Sequence, residues 1–165
     1  MSKTTDALKE AFAGESQANR KYLAFAARAD QEGHKQAARL FRAAAEAETV
    51  HAHAHLKVLG GVHGTKENLA EAVSGETFEF STMYPHMIED AQAEGNKEAV
   101  RSFQWANEVE KVHAGLYRKM ADSLGKSDEN YPYYVCPLCG NTVEKEAPGE
   151  CPICGTKGKA FKKVE

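Results

Sequence analysis

Apolar and small side chains recur at intervals of three and four residues through most of the chain, which is the pattern of helices that each bury one face. Glycine-containing breaks at Gly33, Gly60–Gly64 and Gly95 separate four such stripes. The stripes predict helices at residues 4–31, 35–59, 66–93 and 97–124. Pro85 lies inside the third and predicts a kink, because proline removes one backbone hydrogen bond of a helix interior. The pattern favours an all-α four-helix bundle.

Each stripe also contains ionisable side chains at positions that a helix should bury. They are Glu15, Glu48 with His51, Glu76, and Glu110 with His113. One such carboxylate alone could be salt-bridged or reach solvent, but an unpaired buried charge costs several kcal/mol or shifts its pKa until it is neutral. A Glu-x-x-His motif places both side chains on one helix face. Two glutamates and two such motifs in one bundle are the ligand set of di-iron and di-manganese carboxylate proteins, so we predict a dinuclear metal site.

The two halves of the helical region repeat each other. Residues 32–52 match residues 94–114 at a constant offset of 62, with 12 of 21 positions identical. Gly14-Glu15 also matches Gly75-Glu76, at an offset of 61. Each half is therefore a helix pair that carries one glutamate on its first helix and Glu-x-x-His on its second.

The last quarter of the chain has a different composition, with four of the five prolines and all four cysteines. We expect three segments: helical residues 1–125, a polar linker at 126–132, and a small module at 133–165. The cysteines form two Cys-x-x-Cys-Gly knuckles: Cys136, Cys139, Cys151 and Cys154. Four thiolates make one tetrahedral site that suits iron or zinc. So short a module needs its metal to fold, with Tyr133, Tyr134 and Phe161 as its expected apolar core.

Charge and hydropathy exclude several classes of protein. The formal net charge is -3, and no basic cluster interleaved with aromatics suggests a nucleic-acid partner. The longest apolar run, Tyr22–Ala27, is far shorter than the roughly 18 residues of a membrane span. The polar start of the chain has no signal-peptide layout. We therefore expect a cytoplasmic protein without a membrane or nucleic-acid partner, in which paired cysteines bind metal.

On these landmarks the chain resembles the rubrerythrin family. The matching motifs, in order, are Gly14-Glu15-Ser16-Gln17-Ala18, Glu48-x-x-His51, Gly75-Glu76-x-x-Glu79, Met83-Tyr84-Pro85, Glu110-x-x-His113 and Tyr134-Val135-Cys136-Pro137-Leu138-Cys139-Gly140. The resemblance covers essentially the whole chain. It implies a ferritin-like di-iron bundle followed by a rubredoxin-like domain with one redox-active iron. The implied activity is that of a peroxidase that reduces hydrogen peroxide to water and protects against oxidative stress.

The resemblance also implies individual roles for the acidic and histidine residues. Glu15 and Glu79 would bind one iron, Glu76 and His113 the other, and Glu48 and Glu110 would bridge them. His51 would replace Glu79 as a ligand when the site is reduced, since ferrous ions tolerate neutral imidazole. Tyr22 and Tyr84 match tyrosines near the metals, where their hydroxyls would support ligand carboxylates, although ordinary aromatic packing also explains both.

The resemblance further implies that electrons enter at the four-cysteine iron, from an electron-donor protein or an NAD(P)H-dependent reductase. Two other functions remain open from the residues. A ferritin-like ferroxidase would use the same carboxylates, but it has little use for a separate electron-transfer module. A zinc-stabilised structural protein would use the same cysteines.

The connection at Gly60–Gly64 bears on assembly. It is too short for the long crossover that joins the second and third helices of ferritin-like bundles. Rubrerythrins with a similarly short link resemble swapped dimers, in which the first helix pair of one chain packs with the second pair of its partner. We therefore predict a homodimer with two di-iron sites, each built from both chains.

Overall fold

The computed structural model describes residues 2–127 and 129–165. Its helices are α1 (Lys3–Gln31), α2 (Lys35–Val58), α3 (Thr65–Phe78), α4 (Tyr84–Ala93) and α5 (Lys97–Ser123), with a π-helical turn at Glu79–Met83 between α3 and α4. Three short strands follow, β1 (Tyr133–Val135), β2 (Thr142–Glu144) and β3 (Lys162–Val164), with a 3-10 turn at Gly158–Ala160 before β3. The chain folds into two compact units, of which the first ends at His63 and the second begins at Gly64.

The first unit is a hairpin of α1 and α2. Its buried side chains are alanines, which allow the two helices to approach closely: Ala26, Ala29, Ala38, Ala45 and Ala52. The amide of Asn19 joins the helices, since its Nδ2 donates to the Ala45 carbonyl at 2.7 Å and to the Thr49 hydroxyl at 2.8 Å. Gly33, at φ 81°, ends α1 in the left-handed region that glycine adopts without strain.

The second unit is a hairpin of α3, the π-helical turn and α4 against α5, together with the cysteine-containing module. Ala91, Val109 and Ala114 are its buried helical side chains. The strands form one antiparallel sheet in the order β2-β1-β3, with Tyr134 paired to Val143 on one side and to Lys163 on the other. Among the described residues, no helix combines the length and apolarity needed to cross a bilayer.

The helices begin and end within one or two residues of their predicted positions, but the third departs from an uninterrupted helix. It contains the five-residue π-helical turn Glu79–Met83, directly before α4, whose first turn contains Pro85. The repeat explains this turn. Glu15 matches Glu76 at an offset of 61, whereas Tyr22 matches Tyr84 at 62, so the second hairpin holds one extra residue between these points. A helix accommodates one extra residue as a wider π turn.

The module has the small core that the sequence predicts, with one exception. Phe161 is buried with Cys136 and Cys151, and Tyr134 packs against them. Tyr133 does not belong to this cluster; it pairs with the Tyr131 ring at 5.6 Å, so its predicted core position is wrong. The reason is the alternation of a strand, because adjacent residues point to opposite faces and only one of the two tyrosines can face the core.

Candidate metal centres

The first hairpin gathers three of the predicted ligands. Ligand atoms of Glu15, Glu48 and His51 all lie within 4.8 Å of one another. His51 Nδ1 is 3.0 Å from Glu48 Oε2 and 3.9 Å from Glu15 Oε1. The hydrogen bond with Glu48 raises the pKa of Glu15, while hydrogen bonds from Glu15 and His51 lower the pKa of Glu48. The two carboxylates therefore affect each other's ionisation, and their combined negative charge would attract a metal cation.

The second hairpin repeats this geometry with Glu76, Glu110 and His113, whose ligand atoms are again within 4.8 Å of one another. His113 Nδ1 is 2.7 Å from Glu110 Oε2 and 3.8 Å from Glu76 Oε1. Burial, followed by the neighbouring charge of Glu110, raises the pKa of Glu76. The sequence repeat thus extends to the distances between side-chain atoms.

The two histidines differ in their surroundings. The His51 side chain is 55% exposed and that of His113 is 25% exposed. His113 Nε2 also lies 3.0 Å from the hydroxyl of Thr142 in β2, whereas His51 Nε2 has no hydrogen-bond partner within the described part of the chain. The imidazole of the second hairpin is therefore held at both nitrogens and that of the first at one.

Glu79 has no counterpart in the first hairpin. It is the first residue of the π-helical turn, and the structure places it in neither of the three-residue groups found among the described residues. Burial raises its pKa, and the charge of Glu76 raises it further. The Glu79 carboxylate therefore lies within electrostatic range of Glu76 and adds a further carboxylate beside the second three-residue group.

The two tyrosines that match across the repeat also differ. Burial, then the charges of Glu110, Glu79 and Glu76, raise the pKa of Tyr84, so its hydroxyl lies in the field of the second carboxylate group. The Tyr22 ring packs 6.3 Å from both Phe25 and Phe41.

The four cysteines converge as the two knuckles predict, and all four are free thiols. Their sulfurs lie within 4.8 Å of one another, with Cys136 to Cys154 at 3.5 Å and Cys139 to Cys151 at 3.6 Å. A tetrahedral metal with bonds of about 2.3 Å would set sulfurs roughly 3.8 Å apart, so the spacing fits a tetrathiolate centre.

Backbone donors in the first knuckle favour the thiolate form of Cys136, which is the form that binds a metal, whereas burial and the neighbouring thiols raise the pKa of Cys139. Burial alone would raise the pKa of Cys136, but N–H groups of Cys139 and Leu138, with the neighbouring thiols, lower it to about 6. Gly140 adopts φ 86° and donates its N–H to the Cys136 carbonyl at 3.0 Å. The glycine thereby turns the backbone so that these amides face the sulfur.

Sequence reasoning missed three residues of the second unit. Thr142 contacts His113, and Asn141 is a buried side chain beside the knuckle. Gly158 lies so close to the Pro148 carbonyl that an added Cβ would be 1.7 Å from its oxygen, which only glycine permits. No local motif marks these positions, since each depends on a contact with a distant part of the chain.

Two helical hairpins with matched carboxylate-histidine groups, and a module with four converging cysteines, define a ferritin-like carboxylate protein with a rubredoxin-like domain. Residues 6–121 match the family model described as rubrerythrin, and residues 134–162 match the rubredoxin-like domain of rubrerythrin. The chain belongs to the rubrerythrin family. The predicted fold class and family are therefore confirmed.

Known relatives span nearly the whole chain. Rubrerythrin-2 of Clostridium acetobutylicum is 38% identical over 174 residues, which cover 96% of this chain and 95% of that protein. Nigerythrin of Nitratidesulfovibrio vulgaris is 36% identical over 165 residues, covering 92% and 81%. The solved structure of fully reduced, all-ferrous nigerythrin matches with a TM-score of 0.61 and 33% identity, over 99% of this chain and 88% of that one.

Family membership and geometry agree on the kind of cofactor. Rubrerythrins are iron-binding oxidoreductases that act in oxidative stress. This chain carries carboxylate and histidine candidates for a di-iron site and a rubredoxin-like four-cysteine site, as the sequence predicted.

Proposed function

We propose that the protein is a non-haem di-iron peroxidase that reduces hydrogen peroxide to water. The reaction takes up two electrons and two protons for each peroxide and yields two water molecules. The observation that carries this proposal is the presence, in one chain, of two matched carboxylate-histidine groups and a tetrathiolate module that contacts one of them through Thr142. Iron held by these groups would supply the two electrons that cleave the O–O bond.

The ligand assignments remain part of the proposal. Glu48 and Glu110 would be the ligands shared by the two irons, and a carboxylate oxygen of each lies within hydrogen-bond distance of the histidine three residues later. Glu15 and Glu79 would hold one iron, and Glu76 and His113 the other. His51 would replace Glu79 on reduction, and its exposed ring, which makes one hydrogen bond within the described part of the chain, supports this role.

Tyr84 supports the carboxylates and Tyr22 occupies the matching position. The Tyr84 hydroxyl keeps its proton at neutral pH, as an ordinary tyrosine does, and its raised pKa reinforces this, so the hydroxyl is available to donate a hydrogen bond to a ligand carboxylate. Such a donor orients the carboxylate and stabilises its negative charge without itself being oxidised or reduced.

An iron held by Cys136, Cys139, Cys151 and Cys154 would supply the entry point for electrons, although zinc fits the same four sulfurs. The donor is a reduced carrier protein or an NAD(P)H-dependent reductase. Leu138, at the tip of the first knuckle, is 58% exposed and offers such a donor an apolar contact beside the sulfurs. The four free thiols suit a reducing compartment, so we place the protein in the cytoplasm.

The two carboxylate-histidine groups must meet to hold two irons, and we propose that they do so in a homodimer with exchanged hairpins. Apolar side chains on the first hairpin support a partner surface, with Leu23 42% exposed and Phe25 47% exposed within the single chain. Domain exchange is an economical route to a dimer when a short hinge joins two halves.

The decisive experiment compares donor-driven turnover with a single turnover. Iron analysis and the optical spectrum are recorded first, and peroxide consumption is then followed with NADH and a reductase. In Cys151→Ala, donor-driven turnover and the ferric-thiolate colour should vanish, while a chemically reduced di-iron site should still consume one equivalent of peroxide. Loss of both activities at full iron content in the carboxylate site would refute the electron-entry role.

The ferroxidase alternative predicts a different result from the same protein. Ferrous iron added in excess would be oxidised and retained in a large shell of many subunits, and peroxide turnover would not depend on NADH. Size-exclusion mass and iron retained per chain distinguish the two functions.

A further inference from the structure

The cysteine module packs against α5 on the side that carries His113. Val109 is 2% exposed, and a Cβ added to Gly140 in the first knuckle would lie 3.8 Å from its side chain, so the knuckle backbone passes close to α5. Further along α5, Lys119 forms an ion pair with Glu144 in β2 at 2.5 Å. Between these two contacts, the Thr142 hydroxyl meets His113 Nε2 at 3.0 Å. The module therefore contacts the helix on both sides of a proposed metal ligand.

The hydrogen bonds at Thr142 constrain the His113 ring. The Thr142 hydroxyl donates to the Gly140 carbonyl at 3.1 Å, which leaves its oxygen to accept a hydrogen bond from His113 Nε2 at 3.0 Å. This network of donors and acceptors favours the ring protonated at Nε2. His113 Nδ1 lies on the other side of the ring, 2.7 Å from Glu110 Oε2, where the proposed metal ion would bind.

We infer that Thr142 is a positioning residue that orients His113 toward a metal ion held with Glu76 and Glu110, and thereby couples the carboxylate site to the cysteine site. Thr142 lies three residues after Cys139, and its acceptor is the carbonyl of the knuckle glycine. Filling the cysteine site fixes this knuckle, which in turn fixes the ring and tautomer of His113. Ligand histidines commonly depend on such a partner at their second nitrogen.

The first hairpin provides an internal comparison. His51 matches His113 in the repeat and makes the same contact with its own Glu-x-x-His glutamate. Within the described residues it lacks a group equivalent to Thr142. The coupling therefore reaches only one half of the repeat. The inference rests on the proposed function only in taking His113 as a metal ligand, and it does not depend on the identity of the oxidant.

The test compares Thr142→Val, which keeps the shape and loses the hydroxyl, with Thr142→Ser, which keeps the hydroxyl. Both are prepared as full-length protein with zinc in the cysteine site. Ring ¹⁵N signals of His113, assigned by their loss in His113→Gln, report the tautomer before a second metal is added. Wild type and Thr142→Ser should show the Nε2-protonated form, and Thr142→Val a mixture.

Anaerobic ferrous iron titrations then measure the affinity of the carboxylate site. Loss of a second-sphere partner typically weakens a metal site 10- to 100-fold, so Thr142→Val should bind iron at least about tenfold more weakly, and Thr142→Ser should recover wild-type affinity. Removing zinc from the cysteines should weaken iron binding in wild type and leave Thr142→Val little changed, because coupling is reciprocal between sites.

Equal tautomers and equal iron affinities in wild type and Thr142→Val would overturn the inference. So would a Thr142→Ser variant that behaves like Thr142→Val, since the effect would then come from packing. Far-UV circular dichroism and one zinc per chain establish that each variant is folded. A protein that passes these tests but fails to reduce peroxide would refute the proposed function alone.

Discussion

The two helical hairpins share a sequence repeat and a three-residue ligand group, yet they differ at two points. In the first, α1 is regular and His51 is exposed; in the second, the π-helical turn adds Glu79 and the cysteine module contacts His113. Both differences fall beside the proposed ligands. A nearly symmetric scaffold thus becomes two unequal halves through one extra residue and one docked module, as the proposed exchange of Glu79 for His51 at one iron requires.

The largest difference in iron content should appear between substitution of Glu110, which has a counterpart in the first hairpin, and substitution of Glu79, which has none. Glu110→Ala removes a carboxylate that contacts His113 and that we propose as a ligand shared by both irons, so we expect loss of bound iron and of all turnover. Glu79→Ala removes the carboxylate that the first hairpin lacks, so iron should remain while fast peroxide reduction is lost. Iron per chain and single-turnover kinetics measure the two effects. Equal iron loss in both variants would contradict the distinction.

Complementation tests whether the two hairpins of one site come from different chains. Glu15→Ala and Glu110→Ala chains are each expected to be inactive. The two unfolded chains are combined in equal amounts and refolded together. Exchanged heterodimers place both defects in one bundle and leave the other intact, so about a quarter of the wild-type sites should return in a random mixture. Unexchanged bundles would each keep one defect and stay inactive. Each variant refolded alone is the control.

A smaller effect, on the free energy of unfolding, should distinguish the hydrogen bonds that join the two helices of the first hairpin from the one that joins α3 to α5 in the second. Asn19 links α1 to α2 by two partly buried hydrogen bonds, so Asn19→Ala should lower the free energy of unfolding by about 1–3 kcal/mol. Arg118 links α5 to Thr77 in α3 by an exposed bond of 3.1 Å, and Arg118→Ala should change stability by about 0.5 kcal/mol or less. Urea unfolding of the metal-free chains compares them, and a larger loss in Arg118→Ala would reverse the interpretation.

The smallest effect concerns pH and the module's contact with α5. Burial opposes ionisation of Glu144, but hydrogen bonds from Lys119 and Tyr131 outweigh it and hold its pKa below the ordinary value of 4.5. A lowered folded-state pKa means that this stabilisation is present above that value and is lost as the pH falls through the folded pKa. Wild type should therefore exceed Glu144→Gln in stability at neutral pH, with the difference shrinking below about pH 4.5. A constant difference would show that Glu144 contributes by packing alone.

The sequence predicts the helices and the ligand groups well because both depend on local periodicity. A buried face recurs every three or four residues, and Glu-x-x-His spacing brings Glu48 near His51 within one helix whatever surrounds it. The cysteine knuckles are equally local. These parts of the molecule follow from short-range geometry.

What the sequence did not predict depends on contacts or on a change of register. The contact between His113 and Thr142 joins residues 29 apart in the chain, and no sequence motif contains both. The π-helical turn was predicted only as a proline kink, although the change of offset from 61 to 62 marks it. Tyr133 was placed in the module core because composition cannot say which face of a three-residue strand is covered.

The extra residue of the π-helical turn also records a sequence of events in the ancestry of the chain. Matches continue on both sides of it, from Glu15 and Glu76 to Tyr22 and Tyr84, which is the pattern expected if the halves were copied from one hairpin before a residue was gained or lost in one copy. In such a history the six matched ligand positions date from the common ancestor of the halves. Glu79 is present in the second hairpin only, so in this history the difference between the two halves arose after the ligand positions that they share.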